Sequence, residues 1–508
     1  MRTTTSRSIL TLAAGLALQL AVPSGAQASK ADDTLTAAFQ FQLPTFDRYF
    51  AGGREGFLLG LLVYDALIYR DPNTLEFKPL LATSWRQIDD LTLEFDLRQG
   101  VKFHNGDALT AEDVVYTINF VSNPQNKIFS PETAAWIAKA EAVNSHTVRI
   151  TAKETTPLAL NYVMQLAILP AKYHATVGKD EFGLRPVGTG PYTVAKGSGN
   201  TVVFARNEAY FTGGGKNKPL IGKLVYKTVP DVTAQVAELM TGAVDWAYYI
   251  PSDLAARMAT NPKLRITNAD TFRVGFLTLN VDNNVPPDSP LRDVRVRRAL
   301  NHAIDREKIA KSLVGSSAMV VNSACSPLQF ACRQDLPPYE YDPAKAKALL
   351  AEAGYPNGFD VDVFGYRSRP VAESILGYLR AVNVRANLNW LQYPAVVKAR
   401  REGKAAIVID DFGSSGVADA GYILSFFFGA SSDDLSRDKE VTRLVAQGSE
   451  KIDSAGREKS YGDALKLIGE RAYWVPLFTM PINYVATTDL EIPIPRDENV
   501  EFWRARWK

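Results

Sequence analysis

The chain is poor in the side chains that enzymes most often use for metal and nucleophile chemistry. Its four histidines, His104, His146, His174 and His302, are scattered over 508 residues, and cysteine occurs only twice. There is no HExxH pair, no histidine cluster and no GxSxG elbow around a serine, so a metal- or triad-dependent hydrolase has no visible tools. Catalysis by residues far apart in sequence stays open, because motifs do not reveal it. Phosphate-cradling loops are missing too. Gly188-Thr189-Gly190 is followed by Pro191 and has no third glycine, while Gly213-Gly214-Gly215-Lys216 lacks the Ser or Thr of a Walker loop; both read as turn glycines.

Long apolar runs are scarce as well. The stretch from Ile9 to Val22 follows Arg2 and Arg7, is broken by Pro23, and leads to the small-x-small tripeptide Ala26-Gln27-Ala28. It is shorter than the ~20 residues needed to cross a bilayer and reads as a secretory signal, residues 1–28, cleaved after Ala28. No cysteine near that point offers a lipid anchor, so a soluble protein free in a Gram-negative periplasm is expected. Loss of Arg2 and Arg7 takes Lys+Arg from 57 to 55, equal to the 55 Asp+Glu. A balance of zero attracts neither nucleic acid nor anionic lipid.

The length left after the signal exceeds what a single core usually serves, so two or more lobes are expected. Cys325 and Cys332 favour one short-range disulfide in an oxidising compartment, the alternative being two free buried thiols. Such a bridge is expected to serve stability, with little bearing on binding.

Helical and strand patterns alternate without repeats, which gives a mixed α/β class. Residues 91–98 alternate Leu91, Leu93, Phe95, Leu97 against Thr92, Glu94, Asp96, Arg98, the pattern of a half-buried strand. Thr110 and Asp113 form a capping box ahead of Val114, Val115 and Ile118. Asp293 caps a helix burying Val296, Ala299, Leu300, Ala303 and Ile304, whose Arg292, Arg295, Arg297 and Arg298 read as a solvated face. A third helix starts at Asp342-Pro343 and stops at Gly354.

Seven segments in order carry a resemblance: LLVYDALIYRDP with PLLATSW (61–85), LEFDLRQGVKFHNGDALTAEDVVYTINF (93–120), PVGTGPYTV (186–194), MTGAVDWAY (240–248), SPLRDVRVRRALNHAIDREKIA (289–310), YDPAKAKALLAEAGYPNGF (341–359) and AYWVPLF (472–478). Together they resemble the extracellular solute-binding proteins of family 5, the dipeptide, oligopeptide and nickel group of ABC importers. The resemblance implies a two-lobed periplasmic binding protein-like fold of the type II, or cluster C, kind. Lobe one would be residues 29–276 with an inserted subdomain near 73–185, lobe two 277–478, and 479–508 would return to lobe one. Crossings are expected near Asn280 and near Pro476 to Thr479.

Such a protein binds a di- or oligopeptide-like solute as a monomer, without cofactor, metal or nucleic acid, and docks on a two-subunit ABC permease with cytoplasmic ATPases. Other solutes implied are an opine, a sugar conjugate, glutathione or a metal chelate; a secreted hydrolase and an adhesive or chaperone-like surface protein are the rivals from other classes. Peptide-binding relatives place an ammonium-accepting aspartate in a G-W-x-x-D-P-D-like stretch. The matching segment here is 413–428, with the aspartate at Asp419 and departures at Ser414 and Ala420. A carboxylate-binding arginine would be Arg367 or Arg369, where the guanidinium fork suits a carboxylate as lysine would not. Phe46 and Tyr248 are candidate aromatic walls. Gly188 and Gly190 either line the cleft or shape the return from the insertion.

Overall fold

A computed structural model describes residues 30–508 except 130, 199, 283, 284, 316 and 452. The signal expected at residues 1–28, with its cleavage site, lies outside the described residues. Among the described residues no helix is long and apolar enough to cross a membrane.

Two large sheets organise the molecule into two lobes. The first has seven strands. At its centre Thr34–Phe39 runs parallel to Lys223–Thr228 and to Trp246–Tyr248, while Ile482–Thr487, from near the end of the chain, is inserted antiparallel between Trp246–Tyr248 and Leu264–Ala269. The second has five strands. Val384–Trp390, Phe359–Gly365 and Ile407–Phe412 are mutually parallel, and Val274–Leu279 and Trp474–Thr479 complete it. Each sheet is covered by its own apolar core, one around Phe39, Trp246 and Trp503, the other around Leu277, Leu300 and Ile375. A separate antiparallel sheet, Ala82–Asp89, Thr92–Leu97, Thr147–Ala152 and Ile137–Asn144, carries the helix Ala111–Ser122.

The chain passes between the large sheets from Ala269 to Val274 and again from Thr479 to Ile482. The first passage therefore precedes the apolar strand rather than following it at Asn280, whose amide bonds Ala406 on the second-sheet side. The two passages are tied together: the Met480 amide donates to the Arg273 carbonyl at 2.9 Å and the Thr271 hydroxyl to the Met480 carbonyl at 3.1 Å. A paired link of this kind confines rotation to a few dihedrals.

Local signals translate directly where partners are close in sequence. The Thr110 amide donates to the Asp113 carboxylate at 2.9 Å, closing the capping box, and Val114, Ile118 and Val121 are buried. Asp293 accepts from Arg295 N at 2.8 Å and Asp342 from Lys345 N at 2.8 Å, each opening its helix. Gly354 follows the third helix with φ +93°.

Two readings need correcting. The strand Thr92–Leu97 is covered on both faces, and Glu94 is only 3% exposed. It lies inside the four-stranded sheet, where Arg86 and Arg149 neutralise its charge. The arginine face at 292–298 is not simply solvated either. Arg297 is 5% exposed and donates to the carbonyls of Leu291, Arg292 and Arg471, so it ties the helix to its surroundings by satisfying carbonyls that would otherwise be orphaned.

Candidate functional site

The three parallel strands of the second sheet end at Gly365, Trp390 and Phe412, and in open α/β sheets ligands gather beyond such ends. Here the ends meet the first lobe. Gly365, Tyr366, Arg367, Trp390, Asp410 and Met480 line a recess, and the Arg367 guanidinium sits 5.4 Å from the Tyr249 ring of the opposite lobe. The lobes also touch to either side. The Ser252 hydroxyl donates to Val314 O at 2.6 Å; Arg70 donates to Gly416 O, and Leu158 packs with Val417 and Tyr422.

A buried ion network runs along this seam. Glu498 receives Arg54 at 2.6 Å, Arg273 at 3.0 Å and the Tyr249 hydroxyl at 2.6 Å. Arg273 also pairs with Asp411 of the second sheet, whose other oxygen meets Arg367 Nε at 2.6 Å. Burial alone would raise the Glu498 pKa, but the charges of Arg273 and Arg54 and the hydrogen bonds from Arg273 and Tyr249 outweigh it and hold the carboxyl at about 2. Asp410, next to Asp411 in chain, is shifted upward by burial, partly offset by Arg400.

Backbone strain gathers at the same place. Tyr249 (φ 57°), Glu498 (φ 63°), Ser414 (φ 52°) and Ser415 (φ 48°) all occupy the left-handed region without being glycine. Such conformations cost about 1–3 kcal/mol each and persist where the surroundings impose them, which is typical of ligand clamps and switch regions.

The loop 413–420 has a further support. Cys325 and Cys332 are bonded, with Cα atoms 5.8 Å apart, and the residues they enclose reach this loop. Gln329 Nε2 donates to Val417 O at 2.9 Å, Phe330 N to Ala418 O at 3.0 Å, and Ala420 N to Phe330 O at 3.0 Å.

Of the residues singled out in the sequence, Arg367 lies on the seam. Tyr248, next to Tyr249 in chain, is buried, its hydroxyl donating to Glu55 at 2.9 Å within the first lobe. Asp419 is 8% exposed and turned into its own lobe. It caps the helix Ala420–Phe428 through Gly421 N and pairs with Arg457, both at 2.8 Å. Arg369 sits on the surface, its side chain 63% exposed, paired one turn on with Glu373 at 2.7 Å. Phe46 is half-buried against Gly197 in the first lobe. Gly188 and Gly190 press against the end of the helix Gly53–Val63: a Cβ would lie 2.1 Å from Val63 O at the first and 2.4 Å from Val63 C at the second, so no larger residue fits.

Sequence reasoning missed Arg54, Tyr249, Arg273, Asp411 and Glu498. Asp410-Asp411 left a signal, two acids ending the apolar run Ile407-Val408-Ile409. Arg54 and Glu498 left none, being 444 positions apart in chain.

The profile of the bacterial extracellular solute-binding proteins, family 5 (middle), matches residues 76–434. The chain belongs to this family. Among curated relatives of the family 5 protein, glutathione-binding protein GsiB of Salmonella typhimurium is 28% identical, covering 91% of this chain and 92% of its own length. Heme-binding protein A of Haemophilus influenzae is 28% identical over 82% of this chain and 81% of its own. Among solved structures, a dipeptide-binding protein from a Pseudoalteromonas species in complex with Met-Leu superposes with a TM-score of 0.85 at 24% identity, covering 94% of this chain and all of that one. MoaA of A. tumefaciens R10 in complex with mannopinic acid gives 0.83 at 24% identity, covering 94% and 99%. These likenesses establish the shared fold.

Proposed function

We propose that this family 5 protein encloses a small solute between its lobes in the periplasm and delivers it, chemically unchanged, to the membrane subunits of an ABC importer. The observation that carries the reading is Arg367, a cation at the strand ends of one lobe facing Tyr249 of the other across a seam where strain and buried charge are concentrated. Enclosure removes the solute from water and strengthens each polar contact, and the importer can read the closed form because a bound solute shifts the open–closed balance by its differential affinity. Lobe one is taken as residues 29–276 with 479–508, carrying the insertion at 73–185, and lobe two as 277–478. The change of sheet between Ala269 and Val274 argues for moving the first boundary a few residues earlier.

A peptide-like solute agrees with the Met-Leu and glutathione relatives. A non-peptide solute is the second reading, favoured by the pairing of Asp419 with Arg457, which removes the acceptor for a peptide ammonium. The test is native mass spectrometry of protein taken from the periplasm, followed by scattering with the released solute. A co-purified solute of fixed mass that shrinks the radius of gyration supports capture; turnover of that solute supports a hydrolase instead.

A further inference from the structure

Resting on the capture reading, a census of charge along the seam narrows the solute. Three guanidiniums, Arg54, Arg273 and Arg367, face two carboxylates, Glu498 and Asp411. Each neighbouring acid is already engaged inside the protein. Asp410 binds Arg400 at 2.6 Å and the Tyr366 hydroxyl at 2.7 Å, Asp419 binds Arg457, and Glu55, buried in the first lobe where burial raises its pKa toward the neutral form, accepts the Tyr248 hydroxyl. Arg367 is the most exposed of the three cations. Only its Nε has a partner among the described residues, its side chain is 34% exposed, and its terminal nitrogens carry unused donors at the rim of the recess. Tyr249 and Tyr366 flank the guanidinium at 5.4 and 5.5 Å, fixing its plane as a carboxylate fork requires.

We infer that the solute is an anion without an exposed ammonium group, held by an acid group on the outer edge of Arg367. An ammonium enclosed here would be desolvated with no free carboxylate to meet it, which is costly. A carboxylate would instead complete the charge balance of the seam.

The test is a thermal-shift and calorimetry panel of matched charge classes: N-acetyl-alanyl-alanine and small di- and tricarboxylates as anions, alanyl-alanine as zwitterion, alanyl-alaninamide as cation, and a neutral sugar. Expected are shifts confined to the anions, a loss of at least tenfold in affinity on Arg367→Ala, partial recovery in Arg367→Lys, and a change below twofold on Asp419→Asn. Arg367→Ala leaves Asp411 with Arg273, so its fold is preserved. A stronger response to alanyl-alanine or alanyl-alaninamide that disappears in Asp419→Asn overturns the inference, as does anion binding that survives Arg367→Ala. Silence from every class, with an unchanged scattering profile, counts against capture itself.

Discussion

Glu498 gathers Arg54, Arg273 and the Tyr249 hydroxyl on one buried carboxylate, and its chemistry sets a pH limit for the molecule. Its carboxyl is held at about 2, below the ordinary glutamate value, so its contribution to stability is complete above about pH 4.5 and is lost as pH falls toward 2. A depression of that size corresponds to about 3 kcal/mol. Acid unfolding followed by circular dichroism should show this loss, and Glu498→Gln should flatten the profile while lowering stability near neutrality by about 3–5 kcal/mol, because Arg54 and Arg273 then stay buried with one counter-charge fewer. Asp245 has the opposite sign. Burial first, and the charge of Asp489 to a lesser extent, raise its pKa to about 7, against a lowering hydrogen bond from Thr36. The folded state thus binds a proton the unfolded chain has released, and stability declines as pH rises from about 4 to about 7. Asp245→Asn should raise Tm at pH 8 and leave it unchanged at pH 4.

Elements whose signals are local were legible in the sequence. Asp113, Asp293 and Asp342 each accept from an amide within three residues, so side-chain type and spacing were sufficient; Thr110→Ala, which removes the hydroxyl that donates to Asp113, should cost about 1 kcal/mol in a denaturant titration. The seam was not legible, because Arg273 finds Asp411 138 positions away and Glu498 225 positions away. Asp419 shows the same limit in reverse: its neighbourhood looked like a ligand loop, while Arg457, 38 positions on, turned the carboxylate inward. The bridged loop alters an expectation as well. Opening Cys325–Cys332 by double serine substitution should cost about 2–3 kcal/mol on loop entropy. Because Gln329 and Phe330 hold residues 417–420, solute affinity should fall too. Gln329→Ala, with the bridge intact, separates the two effects: faster amide exchange at 418–420 with little loss of Tm is the expected result, and unchanged exchange would confine the bridge to stability.

At the scale of the whole molecule, Arg273 lies on the first of the passages that join the lobes and pairs with Glu498 on one side and Asp411 on the other. If separating the lobes stretches either bond, the ion network favours the closed arrangement before any solute arrives. Arg273→Gln should enlarge the radius of gyration of the solute-free protein in small-angle scattering, and an unchanged profile would mean that the network does not bear on closure. The two-lobed plan itself could be read early, since length and ordered segments suffice for it. The place where the lobes exchange chain could not, because the apolar strand Val274–Leu279 looks alike whether it ends one lobe or begins the next.

Gly365 leaves its strand without a side chain where the Trp390 ring lies, and a Cβ there would come within 3.2 Å of it. The indole lines the recess and is only partly buried, so a solute entering there would shield it. Its emission should move toward the blue whenever the chamber fills, giving the protein a built-in optical gauge of occupancy that needs no added dye and that Trp390→Phe would switch off.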